Sequence, residues 1–386
     1  MSPGESVFNY TDYLLAGNDS VIEPDLNIDA ADLAFPTSIR ITATFFCVVI
    51  LVLGTTGNIL VPIVVCCTKE LRNSTNIFLI NLSVADLLVL LVCMPTVLIE
   101  LHSKPEVWVL GKGMCKAVPF VELAVAHGSI LTILAISFER YYAICKPLKA
   151  SYKCTKIRAL VIIVLVWVVS VLITSPMLVI AEYTHTEYVD GSTVPICLTQ
   201  AITIWKKSYF FLITVVFFWV PLIVLLVIYG MISKRLVVDR ILFTSTPENS
   251  QVLARKQAVV MLAAVMVCFF VCLMPFRSFT IWSITASPEQ VQSLGMEGYY
   301  VLLYFCRVMH YLNSAINPIL YNVISSNFRE AFVRLLQCAA SRHLLRQGTL
   351  TTTSSLNHHI KHISLNGKKC YHTSCSVKTS CAETYV

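Results

Sequence analysis

Charge is scarce in this chain. Only 13% of its 386 residues are Asp, Glu, Lys or Arg, where soluble domains carry about 25%. With 56% hydrophobic residues and a mean hydropathy of +0.72, the composition excludes an ordinary soluble fold and reads as a polytopic membrane protein. Also missing is any polar stretch between apolar runs long enough to fold alone, so one membrane bundle must supply the only sizeable core. Residues 1–39 hold seven acidic side chains and no Lys or Arg. No basic segment followed by an apolar one opens the chain, so no cleaved signal peptide is expected and the first run should act as a signal anchor. No internal repeat is apparent, which argues against a transporter built from related halves.

Long apolar runs are what the chain has instead. A hydrocarbon core of roughly 30 Å needs about 20 apolar residues per helix. Seven such runs occur, at about 39–67, 74–101, 113–145, 158–181, 203–233, 254–284 and 298–324. The fold class is therefore all-α: a seven-transmembrane helix bundle over 38–324, with a flexible glycosylated N-terminus over 1–37, an amphipathic surface helix over 325–338 and a disordered tail over 339–386. Basic residues set the orientation. Arg140, Lys146, Lys149, Lys153, Lys156 and Arg158 lie at and after the end of the third run, and Lys234, Arg235, Arg240, Arg255 and Lys256 run from the end of the fifth into the start of the sixth. The N-terminus is expected outside and the C-terminus in the cytosol, as in a multi-pass plasma-membrane protein. The net charge of +7 comes from these inner ends and calls for no nucleic-acid partner.

Of fifteen cysteines, these boundaries leave only Cys115 and Cys197 on the oxidising side, where they should pair and tie the second outer loop to the third span. Asn9 and Asn18 begin outward-facing glycosylation sequons, whereas the sequon at Asn73 lies inside. Asp190-Gly191 between strand-like residues marks a β-hairpin over the outer mouth. Beyond the seventh span, Phe328, Phe332 and Leu335 recur at helical spacing with Arg329 and Arg334 off the stripe, as in a helix lying on the membrane. Cys338 at its end is a palmitoylation point or an ordinary reduced cysteine. Hydroxyls from Thr349 to Ser355 could carry phosphate, and Thr384-Tyr385-Val386 fits a PDZ groove.

Polar groups at membrane depth must face the bundle interior. Asn58, Asp86, Ser129, Asn313 and Asn317 are of this kind, and Pro221, Pro275 and Pro318 kink their helices. Two readings of Asp86 stand: a protonated side chain bridging helices, or a carboxylate that binds an allosteric Na⁺ with Ser129, Asn313 and Asn317. No other cofactor is implied. Ser129 near His127 could suggest an intramembrane enzyme, but at i,i+2 they occupy different helix faces. The chain is not expected to be an enzyme.

Seven features in order, Asn58, Leu82 to Asp86, Glu139-Arg140-Tyr141, Trp167, Pro221 with Tyr229, Phe269 with Pro275, and Asn317-Pro318-Ile319-Leu320-Tyr321, resemble the rhodopsin-like family of G-protein-coupled receptors over about 39–337. The resemblance implies an outer ligand cavity, a sixth helix that swings outward, a heterotrimeric G protein as inner partner and arrestin after it. It implies that Arg140 reaches into the inner cleft, supported by Tyr229 and Tyr321 in the active state. Two departures stand out. Leu273 replaces the tryptophan usual before the sixth-helix proline, leaving Phe269 or Phe276 to transmit the signal. Arg255 stands where opsins and amine receptors place a glutamate, so Arg140 is expected to fold back onto Glu139.

A retinal Schiff base is excluded, because no Lys occurs between Lys256 and Lys361. Glu100, Glu122, Arg277 and Arg307 are expected to converge with Phe276 on one outer cavity suited to a basic peptide with an amide end; the alternative is an internal bridge from Glu122 to Arg277 or Arg307. Longer strings narrow the likeness: Thr75 to Leu82, Cys115 to Leu123, Gly191 to Gln200 and Cys272 to Arg277 resemble the arthropod ecdysis-triggering hormone receptors, a group related to the neuromedin U, ghrelin and thyrotropin-releasing hormone receptors. That implies a peptide agonist ending in Pro-Arg-X-amide and signalling through Gq to calcium.

Overall fold

The computed structural model describes residues 35–148, 155–188, 191–242, 250–335 and 337. Asn9, Asn18, Cys338, the tail hydroxyls and Thr384-Tyr385-Val386 lie outside the described residues, as does Asp190 of the hairpin turn. The chain forms α1 (Thr37–Cys67), α2 (Ser74–His102), α3 (Gly111–Cys145), α4 (Lys156–Ile180), the strands β1 (Glu182–Glu187) and β2 (Thr193–Leu198), α5 (Ile204–Leu242), α6 (Ser250–Thr285), α7 (Pro288–Ile324) and the short α8 (326–335).

Local chemistry sets several ends. The Asn73 side chain accepts from the Asn76 amide at 2.9 Å and caps α2, so the asparagine of this sequon serves as a helix start. Ser287 and Gln290 form a reciprocal capping box at α7, with Pro288 just inside. This cap starts α7 ten residues before the apolar run that marked it. The added turns meet the rest of the helix at Gly295, whose φ of 70° and ψ of 164° break the helical path in a conformation glycine adopts freely. α5 likewise outlasts its apolar run, because a helix need not stop where the hydrocarbon does. Inside α2 and α5 the turns widen to π geometry at Val89–Cys93 and Val215–Trp219. Pro95 and Pro221 follow two residues later, where a missing N–H is most easily absorbed.

Among the described residues six helices are long and apolar enough to cross a membrane. α7 makes the seventh member of the bundle, its composition diluted by Arg307, His310 and three asparagines. In the most apolar window of α3 67% of residues are buried, against 22% in α4, which puts α3 at the centre and α4 on the rim. Large apolar side chains such as Leu165, Leu172 and Leu226 are exposed, as expected of surfaces solvated by lipid. Phe328 and Ala331 of α8 are buried while Arg329, Glu330 and Arg334 are exposed; its first turn touches α6 where the Ser326 hydroxyl donates to Gln257 at 2.8 Å.

A glycine seam joins α1 to α2 and α7. A Cβ on Gly54 would sit 2.6 Å from Leu90 Cδ1 and 3.2 Å from Ala315 Cβ, and one on Gly57 would sit 2.8 Å from the Pro318 ring. A proline ring cannot turn aside as a leucine methyl can. Gly57→Val should therefore destabilise the detergent-solubilised protein by ~1–3 kcal/mol, the usual effect of overpacking, seen as a lower thermal midpoint. An unchanged midpoint would mean that the seam yields.

Candidate functional site

At the hairpin end, the Cys115–Cys197 disulfide joins α3 to β2. The strands pair antiparallel from Glu182↔Leu198 to Glu187↔Thr193, and the Trp108 amide donates to the Pro195 carbonyl at 2.8 Å. Lys206 of α5 reaches Glu182 of β1 at 2.7 Å. The hairpin is thus held from three sides above a cavity of about 210 Å³ whose lining includes Glu100, Lys104, Tyr188, Tyr300, Tyr304 and Arg307.

Two kinds of group shape this cavity. Arg307 of α7 forms an ion pair with Glu100 of α2, and its guanidinium lies 5.7 Å from the Tyr304 ring centroid, within cation–π reach. Phe35 packs edge-on against Tyr300 at 4.9 Å and Tyr304 at 5.7 Å, and Tyr299 continues the wall. The result is an aromatic vestibule with an acid–base pair in it.

Deeper in the bundle, Tyr311 donates to the Glu122 carboxylate. Arg277 of α6 lies near enough for its charge to act on Glu122, yet among the described residues no hydrogen bond or ion pair engages its guanidinium. Phe276 contacts the His310 ring at 5.3 Å between centroids.

The middle of the bundle is tied by buried polar groups. Asn58 of α1 donates to the carbonyls of Gly54 at 2.9 Å and Ser314 of α7 at 2.8 Å. Trp167 of α4 donates to Asn81 of α2 at 2.8 Å, and Asn81 donates on to Thr132 of α3 at 3.0 Å. Asp86 accepts from the Asn317 amide at 2.9 Å. Among the described residues the amide oxygens of Asn313 and Asn317 remain buried without a hydrogen-bond partner, and Asn317 is the one bonded to Asp86. Such oxygen donors suit a hard cation. Among the described residues there is no cluster of three or more His, Cys, Asp or Glu able to hold a metal.

At the opposite end Arg140 is folded against its own helix. Its guanidinium lies 3.1 Å from Glu139 and also donates to Thr75. Glu139 Oε1 accepts from Ser74 at 2.5 Å and Thr75 at 2.9 Å. The first turn of α2 thus supplies both hydroxyls that hold the acid–base pair. Tyr229 accepts from Ser137 at 3.5 Å, while the buried Tyr321 hydroxyl has no hydrogen-bond partner among the described residues.

This architecture has known relatives. The family model described as 7 transmembrane receptor (rhodopsin family) matches residues 57–321. The chain belongs to the rhodopsin family of seven-transmembrane receptors. It is 33% identical over 329 residues to the growth hormone secretagogue receptor type 1 of Sus scrofa, covering 83% of this chain and 85% of that one. It is also 33% identical to the QRFP-like peptide receptor of Branchiostoma floridae, covering 82% and 83%. The thyrotropin-releasing hormone receptor of Mus musculus is 31% identical over 83% of this chain and 85% of its own length. These relatives are receptors rather than enzymes, and His127 fits that: it bonds Thr174 at 3.0 Å and stacks on Phe217 at 4.0 Å, not on Ser129.

The receptor's four candidate charges divide between the vestibule and the bundle below it. Glu100 and Arg307 line the vestibule, whereas Glu122, Phe276 and Arg277 lie outside its lining. Arg307 bridges to Glu100, and the Glu122 carboxylate takes the hydroxyl of Tyr311, four residues beyond Arg307. Phe269 and Leu273 are buried in the core below Pro275, and Tyr141 packs edge-on against Tyr142 at 5.6 Å. The sequence reading named Arg307 but missed the α7 face it shares with Tyr300, Tyr304 and Tyr311, although the i, i+4, i+7, i+11 spacing was there to be found. It also missed Ser74 and Thr75, hydroxyls on the first turn of a span.

If Glu100 and Arg307 act as a pair, Glu100→Gln and Arg307→Gln should not be additive. A double-mutant cycle on thermal unfolding should give a coupling of ~0.5–3 kcal/mol, the range for residues in contact; strict additivity would mean that the pair is not formed in solution.

Proposed function

We propose that this receptor sits in the plasma membrane, N-terminus outside and C-terminus in the cytosol, and answers an amidated peptide hormone through a Gq-class G protein and calcium. The peptide is of the Pro-Arg-X-amide type and the receptor an ecdysis-triggering hormone receptor. The observation that carries the reading is the Glu100–Arg307 pair in an aromatic vestibule beneath the hairpin: a peptide guanidinium can replace Arg307 on Glu100, and the Arg307 so released can meet carbonyls at the amidated end. Glu122 and Arg277 extend the same complementarity deeper, with Phe276 as an apolar neighbour. The names of the relatives, secretagogue, QRFP-like peptide and thyrotropin-releasing hormone receptors, support a hormone ligand. The last of them favours a second reading, a different amidated neuropeptide of the neuromedin U, pyrokinin or thyrotropin-releasing hormone-like group.

Activation on this view frees Arg140 from Glu139 and Thr75 for the G protein, with Tyr229 and Tyr321 turning to support it and Tyr141 alongside. Leu273 cannot act as a tryptophan would, so Phe269, Pro275 and Phe276 carry the movement of α6, and Asn317 and Pro318 that of α7. Na⁺ held by Asp86, Ser129, Asn313 and Asn317 would favour the resting state. Glycans on Asn9 and Asn18, a palmitoyl chain on Cys338, arrestin on the phosphorylated tail and a PDZ protein at Val386 complete the proposal.

Cells expressing the receptor should mobilise calcium in response to amidated Pro-Arg-X peptides, and the free acid should be much weaker. Equal potency of the two forms would sink the amide contact. Arg140→Ala should abolish the calcium response while labelled peptide still binds; a preserved response would remove Arg140 from the coupling role. Surface expression measured alongside separates both outcomes from misfolding.

A further inference from the structure

Helix α1 presents one unbroken stripe to the outside of the bundle. Phe45, Val49, Val52, Thr56, Ile59 and Ile63 recur at intervals of three and four, and all are exposed. Apart from Thr56 they are large and apolar, so in a membrane this stripe meets lipid. Cys66 and Cys67 continue it at the next helical interval, and both are exposed and outside any disulfide. They do no packing comparable to that of Cys47 on the same helix, which is fully buried, nor to that of their neighbours Val64 and Val65, which are buried against the bundle. The membrane boundary follows at once. Lys69, Glu70 and Arg72 are exposed, and the Arg72 guanidinium folds back to the Cys66 carbonyl.

We propose that Cys66 and Cys67 form an S-acylation site. Juxtamembrane cysteines are suited to this modification, and a fatty chain attached here would run back along Ile63 and Ile59 into the bilayer. The donor is a long-chain acyl-coenzyme A. The cysteine loses its proton, its thiolate attacks the thioester carbonyl, a new carbon–sulfur bond forms, and the bond to coenzyme A breaks. The departing thiolate takes up a proton and nothing is oxidised or reduced. The site rests on the orientation proposed above, which puts this end of α1 in the cytosol where the donor is. Its consequence is specific to this fold: the turn after Cys67 leads directly into Ser74 and Thr75, so a lipid anchor there steadies the hydroxyls that hold Glu139 and Arg140.

The test uses the full chain, with Cys338, Cys370, Cys375 and Cys381 changed to Ser so that no tail thioester contributes. Cells are fed an alkyne-bearing palmitate analogue, and label is read per immunopurified receptor. Label should persist in this background, be released by neutral hydroxylamine, and be lost on further Cys66→Ser and Cys67→Ser substitution, with each single change leaving part of it. Absence of label in the tail-serine background, or label unaltered by the double substitution, would overturn the proposal. Single variants keep the experiment decisive should the double variant fold poorly. An N-terminal epitope read on intact cells tests the orientation separately: a hidden epitope overturns that premise, a failure distinct from an accessible epitope without label.

Discussion

Hydrocarbon offers no hydrogen-bond partner, so a polar group this chain carries into the membrane is paired only where the bundle itself supplies a partner. That constraint explains the order of the interior better than apolar packing does, since lipid tails compete for apolar contact on nearly equal terms. Asn58 fastens α1 to the Ser314 carbonyl of α7, Asp86 takes an Asn317 amide, and Asn81 joins α2 to α3 and α4 through Thr132 and Trp167. Each tie crosses between helices. The lipid-facing remainder of α4 and α5 is chemically undemanding and needs only to be apolar.

The same constraint governs the two ends of the bundle, with different results. Near the hairpin the charges lie in a vestibule and stay open to a solute, Glu100 and Arg307 each retaining over a quarter of their side-chain exposure. At the far end Glu139 is nearly buried, at 8%, and takes hydroxyls from Ser74 and Thr75 besides the neighbouring guanidinium. One end is arranged to exchange partners with something small, the other to hold its partner until the helices move. The proposed peptide and G protein suit those two arrangements.

Much of this was legible in the sequence. Seven apolar runs, the two outer cysteines and the Asp-Gly turn led directly to the bundle, the disulfide and the hairpin, because each depends on local composition or on elimination. What was not legible depended on approach between helices. Glu122 was matched with arginines on charge alone, yet Tyr311 sits closer, since a helix reading gives the face a residue occupies but not the depth of its neighbour. The early start of α7 was hidden because Ser287-Pro288 and Gln290 are polar, and a search for apolar runs passes over a capping box. Ser74 and Thr75 were read as the beginning of a span rather than as partners for an acid 65 and 64 residues away.

The glycine seam has a mechanical meaning. Where Gly54 and Gly57 let α1 lie against Leu90, Ala315 and Pro318, there is no room for the helices to slide or roll without collision. α1 and the kinked part of α7 therefore behave as one stiff spar, the fixed side of a jaw. Any opening of the bundle has to be taken up across from it, by helices whose seams are padded with side chains that can change rotamer.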